Sequence, residues 1–165
     1  MSITISIDDT AVMAALDHLR ERVTDMQPAM QGIGNKMFQF INLGFEESKD
    51  PWGNSWEKLS VATMLKRRHG AGAGSDKPLV NFGHLASSFS AQADANSVTV
   101  GTDWMDGTID NGAAIHQFGG QAGRGHKVTI PARPFLPIRD DVGELPDVWR
   151  ESILSIIQRR IETGT

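Results

Sequence analysis

Apolar and polar positions alternate along the chain in two regular stripes before any other feature stands out. Val12, Ala15, Leu16, Leu19, Val23 and Met26 recur at the spacing of one helical side, with Asp8, Asp9 and Thr10 placed to cap its start. A second stripe, Ile33, Met37, Phe40, Ile41, Gly44 and Phe45, predicts a helix running to about Ser48. Pro28 either breaks the first helix or sits in the first turn of the second, where a missing amide costs least. Two amphipathic helices in succession suggest an antiparallel pair, with a further layer covering the apolar side.

Beyond this pair the pattern changes character. Asp50-Pro51-Trp52-Gly53 is a turn signal, and a short helix is predicted over 60–69. The run Gly70-Ala71-Gly72-Ala73-Gly74-Ser75-Asp76 offers almost no side chain for packing and predicts a flexible loop at 70–76. Asn81 to Leu85 reads as a turn into a single helical turn. Segments 88–93 and 97–101, separated by Asp94-Ala95-Asn96, predict a hairpin. A short helix over 109–118 ends at Gly119-Gly120, and 127–130 reads as a strand stopped by Pro131. The last helix starts near Pro146 and carries Trp149, Ile153, Ile156, Ile157 and Ile161 on one side. The expected order is α-α-α-β-β-α-β-α, an α+β fold of long N-terminal helices, a small antiparallel sheet and a C-terminal helix, in a single domain over 1–165.

Composition narrows the classes without choosing a function. The chain has 165 residues, 39% of them apolar and 22% charged, with 17 Gly besides, which is the balance of a globular protein able to bury its own core. It contains no cysteine, so disulfides play no part. No apolar run approaches the roughly 18 residues of a membrane span. The first nine residues lack the basic flank and apolar stretch of a secretory signal, and synthesis and use in a cytoplasm are expected. A net charge of −4 and a pI near 5.7 argue against a surface that binds nucleic acid all over.

Candidate chemistry is sparse. Five histidines are present, none paired at the i, i+4 spacing of a zincin helix, and the nearest thing to a metal set is His116 with His126 and Asp110. No serine sits in a Gly-x-Ser-x-Gly elbow, and the glycine run before Lys77 lacks the Lys-Ser/Thr that a phosphate-binding loop places after its last glycine. Neither a cofactor nor an enzymatic activity is expected. Charge is segregated, however. Segment 66–77 carries four basic side chains against one acid, whereas 78–123 has four Asp and no Lys or Arg. Lys66, Arg67 and Arg68 either complement a helix C-terminus or meet DNA or an acidic partner, and segregation of this kind can pair neighbouring copies. Of the tryptophans in turns, Trp56 is expected in the core, while Trp52 and Trp104 suit an interface.

Read together, an ordered series of segments is informative. It comprises Phe45, Asp50-Pro51-Trp52-Gly53, Trp56-Glu57-Lys58-Leu59, residues 60–66, Lys77-Pro78-Leu79, Gly83-His84-Leu85 and Val98-Thr99-Val100-Gly101-Thr102. Two more specific segments close it: Ala114-Ile115-His116-Gln117-Phe118-Gly119-Gly120 and Ile130-Pro131-Ala132-Arg133-Pro134-Phe135-Leu136. Over about residues 1 to 140 the chain resembles the phage virion morphogenesis, or tail completion, family of Mu-like and related contractile-tailed phages. It departs in having no tyrosine, where the family usually places one shortly before the His-Gln-Phe segment.

The resemblance implies a non-enzymatic virion protein, assembled in the host cytoplasm, that acts in tail completion or head-to-tail joining. It further implies a homo-oligomer, expected as a hexameric ring of head-to-tail contacts, with other neck or tail proteins as neighbours. The assembly-interface candidates are His116, Gln117, Phe118, Gly119, Gly120, Pro131, Arg133, Pro134 and Phe135. Two prolines stiffen the 131–136 segment, so that Arg133 and Phe135 either dock on a neighbour or, in the case of Phe135, fill the subunit's own core. The alternative is a DNA-contacting neck component using Lys66, Arg67 and Arg68, with weak, salt-labile binding expected.

Overall fold

The computed structural model describes residues 8–68, 76–104, 112–123, 125, 127–138 and 143–164. Its elements are α1 (Thr10–Thr24), α2 (Gln27–Glu47), α3 (Val61–Arg68), α4 (His84–Ser87), β1 (Phe89–Ala93), β2 (Val98–Thr102), α5 (Gly112–Phe118), β3 (Gly120–Ala122), β4 (Val128–Ile130) and α6 (Asp147–Thr163). The class is α+β, as the pattern predicts.

The spine is α2. Pro28 occupies its first turn, Ser48 ends it in a left-handed conformation, and Ala29, Ile33, Gly34, Ile41 and Phe45 are buried along one side. That side needs cover from two directions, and it gets it from α6 and from the β1–β2 ribbon. Gly34 is what lets the ribbon approach: a Cβ built there would sit 3.1 Å from a Val98 methyl and 3.3 Å from the Ala91 Cβ. Helix α6 runs antiparallel to α2, with Trp149 stacked 5.1 Å from Phe40 at one end and Arg160 against Asp25 at the other.

The core gathers at the C-terminal end of α2, where Ile41, Phe45, Trp56, Leu85, Phe89, Phe135 and Trp149 form one cluster. Phe45 is its hub, with ring centroids 5.3 Å from Trp56 and 5.8 Å from both Phe89 and Phe135. The buried Trp56 indole satisfies its N–H by donating to the Pro134 carbonyl at 2.8 Å.

The predicted hairpin forms, pairing Phe89 with Thr102 and Ala93 with Val98. Its turn is organised by Asp94, whose carboxylate accepts the N–H groups of Asn96 and Ser97, each at 2.7 Å. Three departures from expectation are informative. The single small sheet is instead two separate two-stranded ribbons. The second ribbon arises because Gly120–Ala122, expected only as a reversal, supplies the strand that pairs with β4. And α1, expected to have its apolar stripe covered, buries none of it. The glycine loop at 70–76 lies outside the described residues except for Asp76.

Candidate functional site: the Gln117 clasp and the adjoining groove

The two family-like closing segments meet each other in space. Helix α5 is short, and its last turn directs Gln117 into the molecule, where only 3% of the residue is exposed. A carboxamide buried that deeply must find partners for both ends. The Gln117 Oε1 accepts the N–H groups of Phe135 and Leu136, each at 3.0 Å, and Nε2 donates to the Leu136 carbonyl at 2.9 Å and the Ile138 carbonyl at 3.3 Å. One side chain thus does for the 131–136 segment what a neighbouring strand would do, satisfying backbone that two prolines keep out of a regular sheet.

Arg133 fixes the same segment from its other side. Its N–H donates to the His116 carbonyl at 2.8 Å. Its guanidinium, in a residue 6% exposed, donates from Nε to the Glu57 carbonyl at 2.8 Å and from Nη2 to the Lys58 carbonyl at 3.3 Å. Phe135 then enters the aromatic cluster, 3% exposed. The expectation that this segment presents Arg133 and Phe135 as outward anchors is therefore corrected for the subunit: both are turned inward, and Phe135 takes the core alternative. The physical reason is that the N–H groups of Arg133, Phe135 and Leu136, the carbonyls of Pro134 and Leu136, and both large side chains find partners in the same chain.

Gly119 makes the reversal between α5 and the ribbon possible. It adopts φ +75°, and an added Cβ would lie 2.9 Å from the Ala132 nitrogen, so both the conformation and the approach of the 131–136 backbone call for glycine. Gly120 follows as the first residue of β3, paired with Ile130. Two large apolar side chains remain on the outside beside polar Gln121, Lys127 and Thr129: Phe118 is 49% exposed and Val128 53% exposed. Pro131 and Pro134 are half-buried. The His116 ring is half-buried and stacks 6.3 Å from Trp104.

Beside the clasp lies an open groove of about 520 Å³ between the start of α3, the 81–85 turn and β4. Leu59, Leu79, Phe82, Trp104, Val128 and Ile130 supply its apolar lining, and Glu57, Lys58, His84 and Arg133 its polar groups. Such a lining suits an apolar side-chain array better than a small polar substrate. Among the described residues no group of three or more His, Asp or Glu side chains is placed to hold a metal ion. His126 and Asp110, named with His116 as the nearest metal set, lie outside the described residues, as does the glycine run at 70–75. Lys66, Arg67 and Arg68 form the last turn of α3, and their side chains are not among those described.

Sequence reasoning singled out the right segments here but missed how they fit. Gln117 was legible as a hydrogen-bonding residue at a helix end, yet nothing local says that its partners are 18 or 19 residues away. The Trp104–His116 stack and the groove gave no sequence signal at all.

Comparison with known proteins places these segments in a wider setting. The model of the phage virion morphogenesis family matches residues 7–162. Mu-like prophage FluMu G protein 2 of Haemophilus influenzae is 34% identical over 139 residues, covering 83% of this chain and 86% of that protein. No solved structure matches the chain.

Proposed function

This chain belongs to the phage virion morphogenesis family, and on that premise we propose that it is a tail completion or head-to-tail joining protein of a tailed phage or prophage, working as a hexameric ring. The family's role is structural, in building the virion. The observation that carries the finer reading is the pair of exposed apolar side chains, Phe118 on the helix end that the clasp ties down and Val128 on β4, the strand that leads into the clasped 131–136 segment. A rigid backbone loses little conformational freedom on docking, and aromatic side chains on such a support are favoured interface anchors. Head-to-tail contacts between identical subunits close into a ring when the rotation between copies allows it. Among the described residues no helix is long and apolar enough to cross a membrane.

Light scattering of the purified protein, with negative-stain imaging, tests this directly. Closed rings are the expected result, and a protein that stays monomeric at every concentration and in the presence of tail tubes would overturn it. The net charge of +3 over 66–77 favours a second reading, contact with DNA in the neck. Binding measured against salt tests that reading, since replacement of Lys66, Arg67 and Arg68 by Ala should abolish both the binding and its salt slope if these residues meet phosphates.

A further inference from the structure

Helix α1 is held to the subunit at one end, and none of its residues is buried by the described residues. Arg22 donates from Nη1 to the carbonyls of Ile161 and Glu162 at 3.1 and 2.6 Å, capping the end of α6, and Arg160 of α6 reciprocates by donating to the Asp25 carbonyl at 2.9 Å. Beyond this lock every residue over 10–20 is exposed, and Val12, Met13, Leu16, Leu19 and Val23 are each 41–60% exposed. That stripe is on the scale of the largest apolar patch a monomer shows, roughly 300–600 Å². A helix of 15 residues is at best marginal alone in water, because its stability normally comes from packing an apolar side. A projecting helix with this stripe calls for a cover.

We propose that α1 is an assembly arm whose apolar stripe seats in the groove beside β4 of a neighbouring copy, so that each subunit grips the next in one direction. The proposal rests on the ring reading above and supplies its contact. Three observations choose this occupant. The groove is apolar and open, with Phe82 and Val128 more than half exposed at its mouth, so it presents the complementary surface. Charge matches as well. Asp8, Asp9, Asp17 and Glu21 outnumber Arg20 and the anchored Arg22 on the arm, whereas the groove carries Lys58 and Arg133 against Glu57, has Lys127 next to Val128, and is bordered by the helix that bears Lys66, Arg67 and Arg68.

The arm also falls short of its own groove. It leaves the N-terminal end of α2, while the groove adjoins the opposite end, where Trp56 and Arg133 lie. At 1.5 Å per residue the 21 residues of α2 separate them by about 30 Å, against about 22 Å for the length of the arm, whose last turn is locked to α6. An arm at one end and its seat at the other make a heterologous contact, the kind that closes into rings.

The absence of cysteine makes the test clean. In the full-length protein Leu16→Cys and Val128→Cys, both at exposed positions, are combined and mildly oxidised. The expected result is a ladder of disulfide-linked multimers on a non-reducing gel, collapsed by a thiol reductant, from the double variant and from neither single variant. Disulfide dimers from Leu16→Cys alone would mean that arms pair with arms, and a purely intramolecular bond would mean that the arm folds back; either overturns the proposal. Rings that form without any ladder overturn the arm but leave the ring reading standing, whereas wild-type protein that never forms rings removes both. As a second variant, Leu16→Asp should leave the melt unchanged and raise the concentration at which rings half-form by about tenfold or more; unchanged ring formation would overturn the arm.

Discussion

The 131–136 segment and α1 make an instructive pair. Each joins large apolar side chains to a backbone of limited freedom, one through two prolines and the other through helix formation, and each looks equally fit to reach a neighbour. In the folded subunit they have opposite fates. The 131–136 segment is drawn in, with Phe135 in the aromatic cluster, Arg133 tied to the Glu57 and Lys58 carbonyls and the backbone held by Gln117. Helix α1 is held at Arg22 and otherwise left in solvent. The difference lies in what surrounds each. Near residues 131–136 the chain supplies an aromatic hole, a buried carboxamide and the Glu57 and Lys58 carbonyls; near α1 the described residues supply the end of another helix. Inward segments set stability, and the uncovered one is free to set assembly.

That contrast can be broken most severely at Phe135. Phe135→Ala should lower the unfolding free energy by about 3–5 kcal/mol, because it opens a cavity among Phe45, Phe89 and Trp56. A urea melt reads this, and an unchanged melt would return Phe135 to the surface. Next in size is Gln117→Leu, which keeps the bulk but leaves the Phe135 and Leu136 N–H groups without their acceptor. A loss of about 2–3 kcal/mol is expected in the same melt.

Gly119→Ala should cost about 1–3 kcal/mol, since it puts a side chain at φ +75° against the Ala132 nitrogen. Differential scanning calorimetry would show it as a lowered midpoint with an unchanged fold by circular dichroism. Leu16→Asp, on the other side of the comparison, should move the melt by no more than about 0.5 kcal/mol, as exposed positions ordinarily do. A large destabilisation there would mean that α1 is packed in the subunit after all.

The smallest effect concerns a site outside both regions and calibrates the rest. In the hairpin turn the N–H of Asn96, followed by the hydroxyl and N–H of Ser97, holds the Asp94 carboxyl below its ordinary value. A carboxyl whose folded pKa is depressed stabilises the turn above the ordinary carboxylate range and stops doing so as pH falls through the lowered value. Protection of the Ser97 amide from exchange, taken relative to its intrinsic rate at each pH, should therefore fall in acid, and Asp94→Ala should remove that fall without touching the core or the arm.

The sequence by itself determined the elements that depend on neighbours along the chain. The recurrence of Ile33, Met37, Ile41 and Phe45 at every fourth position specifies which side of α2 is apolar, Pro28 and Pro146 mark where helices begin, and Asp94 with Ser97 closes a two-strand turn. It also carried the family, through the ordered series ending at Leu136. Tertiary structure alone decided the rest. Periodicity marks an apolar side but not what covers it, which is why the stripes of α1 and α2 read alike and only one is buried. Gly120–Ala122 became a strand because β4 offered a ladder to fill, not through any preference of its own. Phe135 turned inward because Phe45, Phe89, Trp56 and Gln117, from four separate parts of the chain, together make its place. Burial and pairing are sums over residues distant in sequence, so they become definite only when the whole chain has folded.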